Sequence, residues 1–227
     1  MLNFIKGNQK TKIISIFNVI KNGHMNSILE EITDRNLNDY KIVLTPHKDL
    51  EERIRDQRLA FHEKYNTDLP IKSHPEVAIV TYKQSSYSEK LILTKLKNIA
   101  MGFPPFKIEI KDYGSYPSHT IYFNVTSKIP LELISKKIKQ ETQLLMKVNA
   151  DIKPHFLNEF HITLARKLKP WQYEQGWMEY SHKNFTSKFI ATRILLSKKN
   201  HGEYFYKPIA SFDFQNLPVD TTQGSLF

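Results

Sequence analysis

With 227 residues, 40% of them hydrophobic and 12% aromatic, the chain is long enough for one well-buried domain with extensions and too apolar for a disordered chain. A formal charge of +10 suits an anionic partner such as RNA, a nucleotide or an acidic surface, while lysines spread along the whole chain also serve solubility. The absence of cysteine excludes disulfides, thiolate zinc sites and thiol nucleophiles, and the seven glycines form neither a GxGxxG nor a GxxxxGK[ST] phosphate loop.

Residues 1–38 differ from the rest of the chain. Lys6, Lys10 and Lys12 precede the apolar stretch Ile13–Ile20, but Asn18 and Lys21 break it and no small-residue cleavage site comes after it, so it does not read as a signal peptide. No run is long enough to span a membrane. Residues 1–38 are expected to be an extension without chemistry, and the protein to be soluble and cytoplasmic.

From Asp39 the pattern becomes regular. Tyr40–Thr45 reads as a β-branched strand, and Lys48–Asn66 places Leu50, Ile54, Phe61 and Tyr65 on one helical face. A strand over Glu76–Lys83 comes after the His74-Pro75 break. A helix over Tyr87–Met101 ends at Gly102 and the Pro104-Pro105 pair, and strands succeed it over Phe106–Ile110 and His119–Thr126. The second half repeats the theme with a helix over Pro130–Val148, a strand over Phe160–Arg166 and a helix over Pro170–His182. Strands over Phe185–Ser197, broken near Ala191, and over Tyr204–Phe214 complete it. The domain therefore spans 39–216, with 217–227 a polar tail, and is α+β in two comparable lobes of mainly antiparallel sheet.

The run Phe160-His161-Ile162-Thr163-Leu164-Ala165-Arg166 carries the chemistry. On a regular strand His161, Thr163 and Ala165 share one face and Ile162 and Leu164 the other. A neutral imidazole exchanges protons near pH 7 and a hydroxyl donates to a phosphate oxygen, so the pair can serve one bound group. The spacing alone is equally compatible with a histidine that merely packs in the sheet.

In context the segment resembles the second H-x-T signature of the 2H phosphoesterase superfamily, in its 2'-5' RNA ligase-like (LigT-like) branch. The resemblance continues through Arg166-Lys167-Leu168, Tyr173…Trp177…Tyr180 and Phe185…Phe189…Leu195…Lys198, and upstream through Tyr116-Pro117-Ser118-His119…Tyr122. It implies a two-lobed, pseudo-twofold fold with helices flanking antiparallel sheets around a central cleft. There two H-x-[T/S] strands face each other, one histidine acting as base and the other protonating the leaving oxygen, with neither metal nor cofactor. The implied partners are an RNA end, a nucleotide or another phosphodiester, in a 2',3'-cyclic phosphodiesterase or 2'-5' RNA ligase type of reaction.

The first signature is altered. Aligned on Pro75, Glu76 stands where the histidine should and Ala78 where the threonine should. Three readings are open: Glu76 is the base opposite His161; His74, two residues earlier, reaches the cleft instead; or the first site is lost and a catalytically impaired nucleotide- or RNA-binding module remains. Among softer candidates, His119 and Tyr122 are expected on opposite strand faces, so that at most one of them enters the cleft, where Tyr122 could stack a base. Arg166 could attract phosphate. Trp171 and Trp177, at helical spacing, read as core residues.

Overall fold

A computed structural model describes residues 37–67 and 73–218, and the described residues from Asn38 onward belong to one compact unit. Most of the expected extension and tail lies outside the described residues. In chain order the elements are β1 (Asn38–Leu44), α1 (Lys48–Tyr65), β2 (Val77–Gln84), α2 (Glu89–Gly102), β3 (Phe106–Tyr116), β4 (Thr120–Val125), α3 (Lys128–Met146), β5 (His155–Phe156), β6 (His161–Arg166), α4 (Pro170–Tyr180), β7 (Thr186–Ala191), β8 (Arg193–Lys199) and β9 (Lys207–Asp213). The class is α+β. One sheet has the order β5-β2-β1-β8-β9, the other β6-β4-β3-β7, and every pairing is antiparallel.

The pattern is a repeat with exchanged strands. The units β1-α1-β2 and β4-α3-β6 each join two antiparallel neighbours through a helix. The remaining strands are shared: β3 comes after the first unit but pairs with β4, while β8 comes after the second unit but pairs with β1. Reading outward from the motif strand, β2-β1-β8-β9 therefore matches β6-β4-β3-β7.

Helix α1 shows why these segments fold as they do. Leu50, Ile54, Arg58, Phe61 and Tyr65 are buried on one face, acids occupy the first turn and basic residues the last, each complementing the helix dipole. Burial of Leu50, Ile54 and Phe61 is worth roughly 1.5–3 kcal/mol each. The helix ends at Asn66, left-handed at φ 47°, and Gln172 Nε2 donates to the carbonyls of Tyr65 (2.9 Å) and Asn66 (2.8 Å). That glutamine lies in α4, which starts at Pro170, where the missing amide costs nothing. Gly176 of α4 is required by close approach, because an added Cβ would stand 2.7 Å from the Phe61 ring.

Several boundaries differ from the sequence expectations. β3 runs on to Tyr116, because Gly114 and Ser115 pair with β4 rather than forming a link. His119 precedes β4, and β5 is an additional two-residue strand bonded to β2. Trp171 is 47% exposed and Trp177 only partly buried, because α4 turns Gln172, Gly176 and Tyr180 inward instead. Among the described residues no helix is long and apolar enough to cross a membrane.

Candidate functional site

β6 is an edge strand of its sheet, and its register explains which side chains it presents. Tyr122 of β4 pairs with Thr163 and Ile121 with Ala165, leaving Leu164 as an extra residue, a β-bulge. The bulge reverses the alternation. Ala165, expected beside Thr163, is fully buried opposite Ile121, and Arg166 is brought round to the face of Thr163, opposite Thr120.

β2 carries the same feature. Val43 of β1 pairs with Ala78 and Ile42 with Val80, so Ile79 is the extra residue. Each bulge lies three residues after the motif position, Ile79 after Glu76 and Leu164 after His161. This coincidence matches Glu76 to His161 and Ala78 to Thr163 without any appeal to Pro75.

In the second half, His161 is half-buried and its Nδ1 lies 3.3 Å from the Glu159 carbonyl and 3.5 Å from the Tyr116 hydroxyl. A carbonyl accepts, so Nδ1 carries the proton and Nε2 keeps its lone pair. Burial pushes the imidazole below the ordinary histidine range, while the carbonyl and charge of Glu159 pull it partly back. The ring sits 4.7 Å from that of Tyr122 and 5.4 Å from that of Tyr116. Tyr122 rests on Gly114, where a Cβ would come within 2.4 Å of its ring; only glycine leaves room for it.

His119 is not on β4 at all. It lies in the β3–β4 turn, exposed, with Nδ1 2.6 Å from Thr120 Oγ1 and its ring stacked 6.3 Å from Tyr116. It backs the tyrosine that touches His161. The opposite-face expectation for His119 and Tyr122 therefore fails, because a turn residue has no strand face.

In the first half, Glu76 precedes β2 and pairs with Lys41 of β1. His74 lies before Pro75, is mostly exposed, and its Nδ1 is 2.6 Å from Glu51 Oε1 of α1. At the rung of Ala78 the neighbours are Val43 and Leu195, whereas the matching rung of the second half holds Thr163, Tyr122 and Gly114.

Two residues missed by the sequence reading join the halves. Arg58 of α1 is 7% exposed; its Nε donates to the Thr163 carbonyl (2.9 Å) and its Nη1 to the Ser73 carbonyl (2.8 Å). It thus ties β6 to the segment leading into β2. Burial lowers its pKa to about 10, with Glu76 acting in the opposite sense, so it remains charged. Tyr206, just before β9, lies under the Lys41 ammonium, 4.5 Å from its ring centroid. Burial first, then the charges of Asp39 and Glu76, push its hydroxyl up to about 12, and Arg166 draws it back. Tyr206 therefore senses charges from both halves. An arginine inside the apolar face of α1 was the available signal for Arg58; Tyr206, expected inside a strand over Tyr204–Phe214, stands just before β9, which starts at Lys207. Among the described residues no group of three or more His, Asp or Glu side chains is arranged to hold a metal ion.

No curated protein matches the chain significantly by sequence. Escherichia coli LigT, in a crystal structure complexed with 3'-AMP, is similar over 78% of this chain and 98% of its own, with 14% identity and a TM-score of 0.57. Its complex with NADP+ is similar over 79% and 99%, with 14% identity and a TM-score of 0.53. TT0787 of Thermus thermophilus matches over 78% and 98%, with 10% identity and a TM-score of 0.53. These likenesses show the fold. The profile of the 2'-5' RNA ligase superfamily matches residues 46–203, which take in both motif strands and both bulges, and the chain belongs to that superfamily.

Proposed function

We propose that this protein binds an RNA end or a cyclic phosphodiester in the cleft between β2 and β6 and turns it over without metal. The observation that carries this reading is the alignment of His161, Thr163 and Arg166 on one face, with His161 Nε2 left free by the bond at Nδ1. Thr163 and Arg166 supply a hydroxyl and a guanidinium to phosphate oxygens, and Tyr122 offers its ring to a base.

Of the two groups near the first motif, the opposing role falls to Glu76 rather than His74, whose imidazole is bonded to Glu51 outside the strand. Glu76 takes the proton of the attacking water or hydroxyl as it bonds to phosphorus. His161, once protonated, gives its proton to the oxygen that leaves. Burial disfavours the imidazolium in the free protein, but a phosphate anion beside it restores that form.

A second reading has its own support. With Ala78, Val43 and Leu195 at the first motif's level and Glu76 tied to Lys41, the fold could serve as a nucleotide- or RNA-binding module without turnover. Metal-free assays on a 2',3'-cyclic nucleotide and a 2'-5'-linked dinucleotide, with wild type and His161→Ala, separate the two. Turnover lowered by roughly 10²–10⁴-fold in the variant supports the enzyme. Binding without turnover in the wild type supports the module.

A further inference from the structure

The second rung beyond the bulge carries one cation and one hydroxyl in each half, on exchanged strands. In the second half Arg166 of β6 stands opposite Thr120 of β4. In the first half the cation is Lys41 of β1 and the hydroxyl is Thr81 of β2. Lys41 is held on this face: its side chain is only 15% exposed, rare for a lysine, and its ammonium lies between the Glu76 carboxylate and the Tyr206 ring. An ammonium has three N–H donors, and among the described residues Glu76 is the hydrogen-bond acceptor that Lys41 meets.

We propose that Lys41 is a phosphate-binding residue, facing Arg166 and supplying from β1 the contact that Ala78 of β2 cannot make, so that the site takes phosphate esters between two cations. The inference rests on the phosphodiester reading above. It also accounts for a carboxylate at Glu76, which would repel a phosphate if it stood alone. Lys41 and Arg166 offset the carboxylates nearest the site, Glu76 and Glu159, the second of which acts on His161. Glu76 competes with the phosphate for Lys41, and a nucleoside monophosphate, with more charge than a diester, gains most from the pair of cations.

The test is calorimetric titration at pH 7 with adenosine 3'-monophosphate, with the melting temperature of each variant recorded. Lys41→Met is expected to bind about tenfold more weakly, and Lys41→Arg within about threefold of wild type, because a charge-assisted hydrogen bond is lost in the first and kept in the second. Should the methionine variant not fold, Lys41→Gln makes the same comparison. Glu76→Gln is expected to bind several-fold more tightly, because it frees Lys41 for the phosphate and removes a charge that repels it. Unchanged affinity in folded Lys41→Met overturns the role of Lys41 and leaves the phosphodiester reading standing. A wild type that binds neither this monophosphate nor its 2',3'-cyclic form overturns both.

Discussion

The strands β2 and β6 have kept the same backbone and parted in chemistry. Both bulge three residues past the motif position, and both then present a rung with one cation and one hydroxyl. Yet one motif reads Glu76 and Ala78 and the other His161 and Thr163, and the rung that holds Tyr122 on Gly114 in one half is Val43 beside Leu195 in the other. A bulge is difficult to lose, because removing the extra residue would turn every later side chain of the strand to the wrong face. The side chain at a motif position carries no such penalty. The repeat therefore preserves where a functional residue can stand, while its identity is free to change.

The largest expected effect comes from putting the chemistry back. If the halves are geometrically equivalent, Glu76→His/Ala78→Thr rebuilds the first motif on a strand already shaped for it. An imidazole base in place of a carboxylate that repels phosphate, together with a phosphate donor, should raise kcat/KM for a 2',3'-cyclic nucleotide by about 10²-fold or more. Steady-state kinetics without metal checks this. No gain in a folded double variant would mean that β2 does not address the phosphate and that the equivalence ends at the backbone.

The next effect concerns what joins the halves. Arg58→Met removes two hydrogen bonds from a charged donor and leaves the carbonyls of Thr163 and Ser73 without it. About 3 kcal/mol of stability should be lost, measured by urea unfolding. Arg193→Met breaks only an exposed pair with Asp213 and should cost less than about 0.5 kcal/mol. Similar values for the two variants would remove Arg58 as the link between motif strands.

The fold was largely legible because period-two and helical patterns, with Pro and Gly punctuation, mark elements of this length well. α1, β6 and the break between β7 and β8 at Ala191–Arg193 stand close to where the pattern puts them. The bulges were not legible. Nothing in Thr163-Leu164-Ala165 distinguishes an extra residue from a regular one, so strict alternation wrongly set Ala165 beside Thr163 and gave Arg166 no face in common with it. Lys41 was hidden for another reason: in sequence a lysine in a strand reads as solvated, and only the pairing of β1 with β2 brings it to Glu76. β5 escaped because two residues carry no period at all.

A smaller effect distinguishes the halves by pH. Only the second offers a histidine at its motif position, and burial holds it below the ordinary imidazole range. With His161 as the proton donor, kcat/KM, which reports the free protein, should fall as pH rises through that depressed value. The corresponding limb of kcat should lie higher, since bound phosphate favours the imidazolium. A profile that rises through that same depressed value, where this mechanism gives a fall, would make His161 the base and move the donor to the first half.

The smallest effect tests whether the first sheet's buried side is shaped for stability alone. Tyr82 of β2 stacks on Tyr40 of β1, ring centroids 5.1 Å apart, and Tyr40 donates to Glu89 Oε2 at 2.9 Å. Lys198 donates to the same carboxylate at 2.9 Å. The Tyr82 hydroxyl is buried with no hydrogen-bond partner among the described residues, and burial is the main cause of its raised pKa. An unmade bond costs more than a made one contributes, so two otherwise identical changes should have opposite signs. Tyr82→Phe removes an unsatisfied group and should stabilise by about 1 kcal/mol, whereas Tyr40→Phe removes a donor to a charged acceptor and should destabilise by about 1–2 kcal/mol. Paired urea titrations decide it. If Tyr82→Phe lost stability, its hydroxyl would have a partner in solution, and the stacked pair would share one hydrogen-bonded network instead of a network and an orphan.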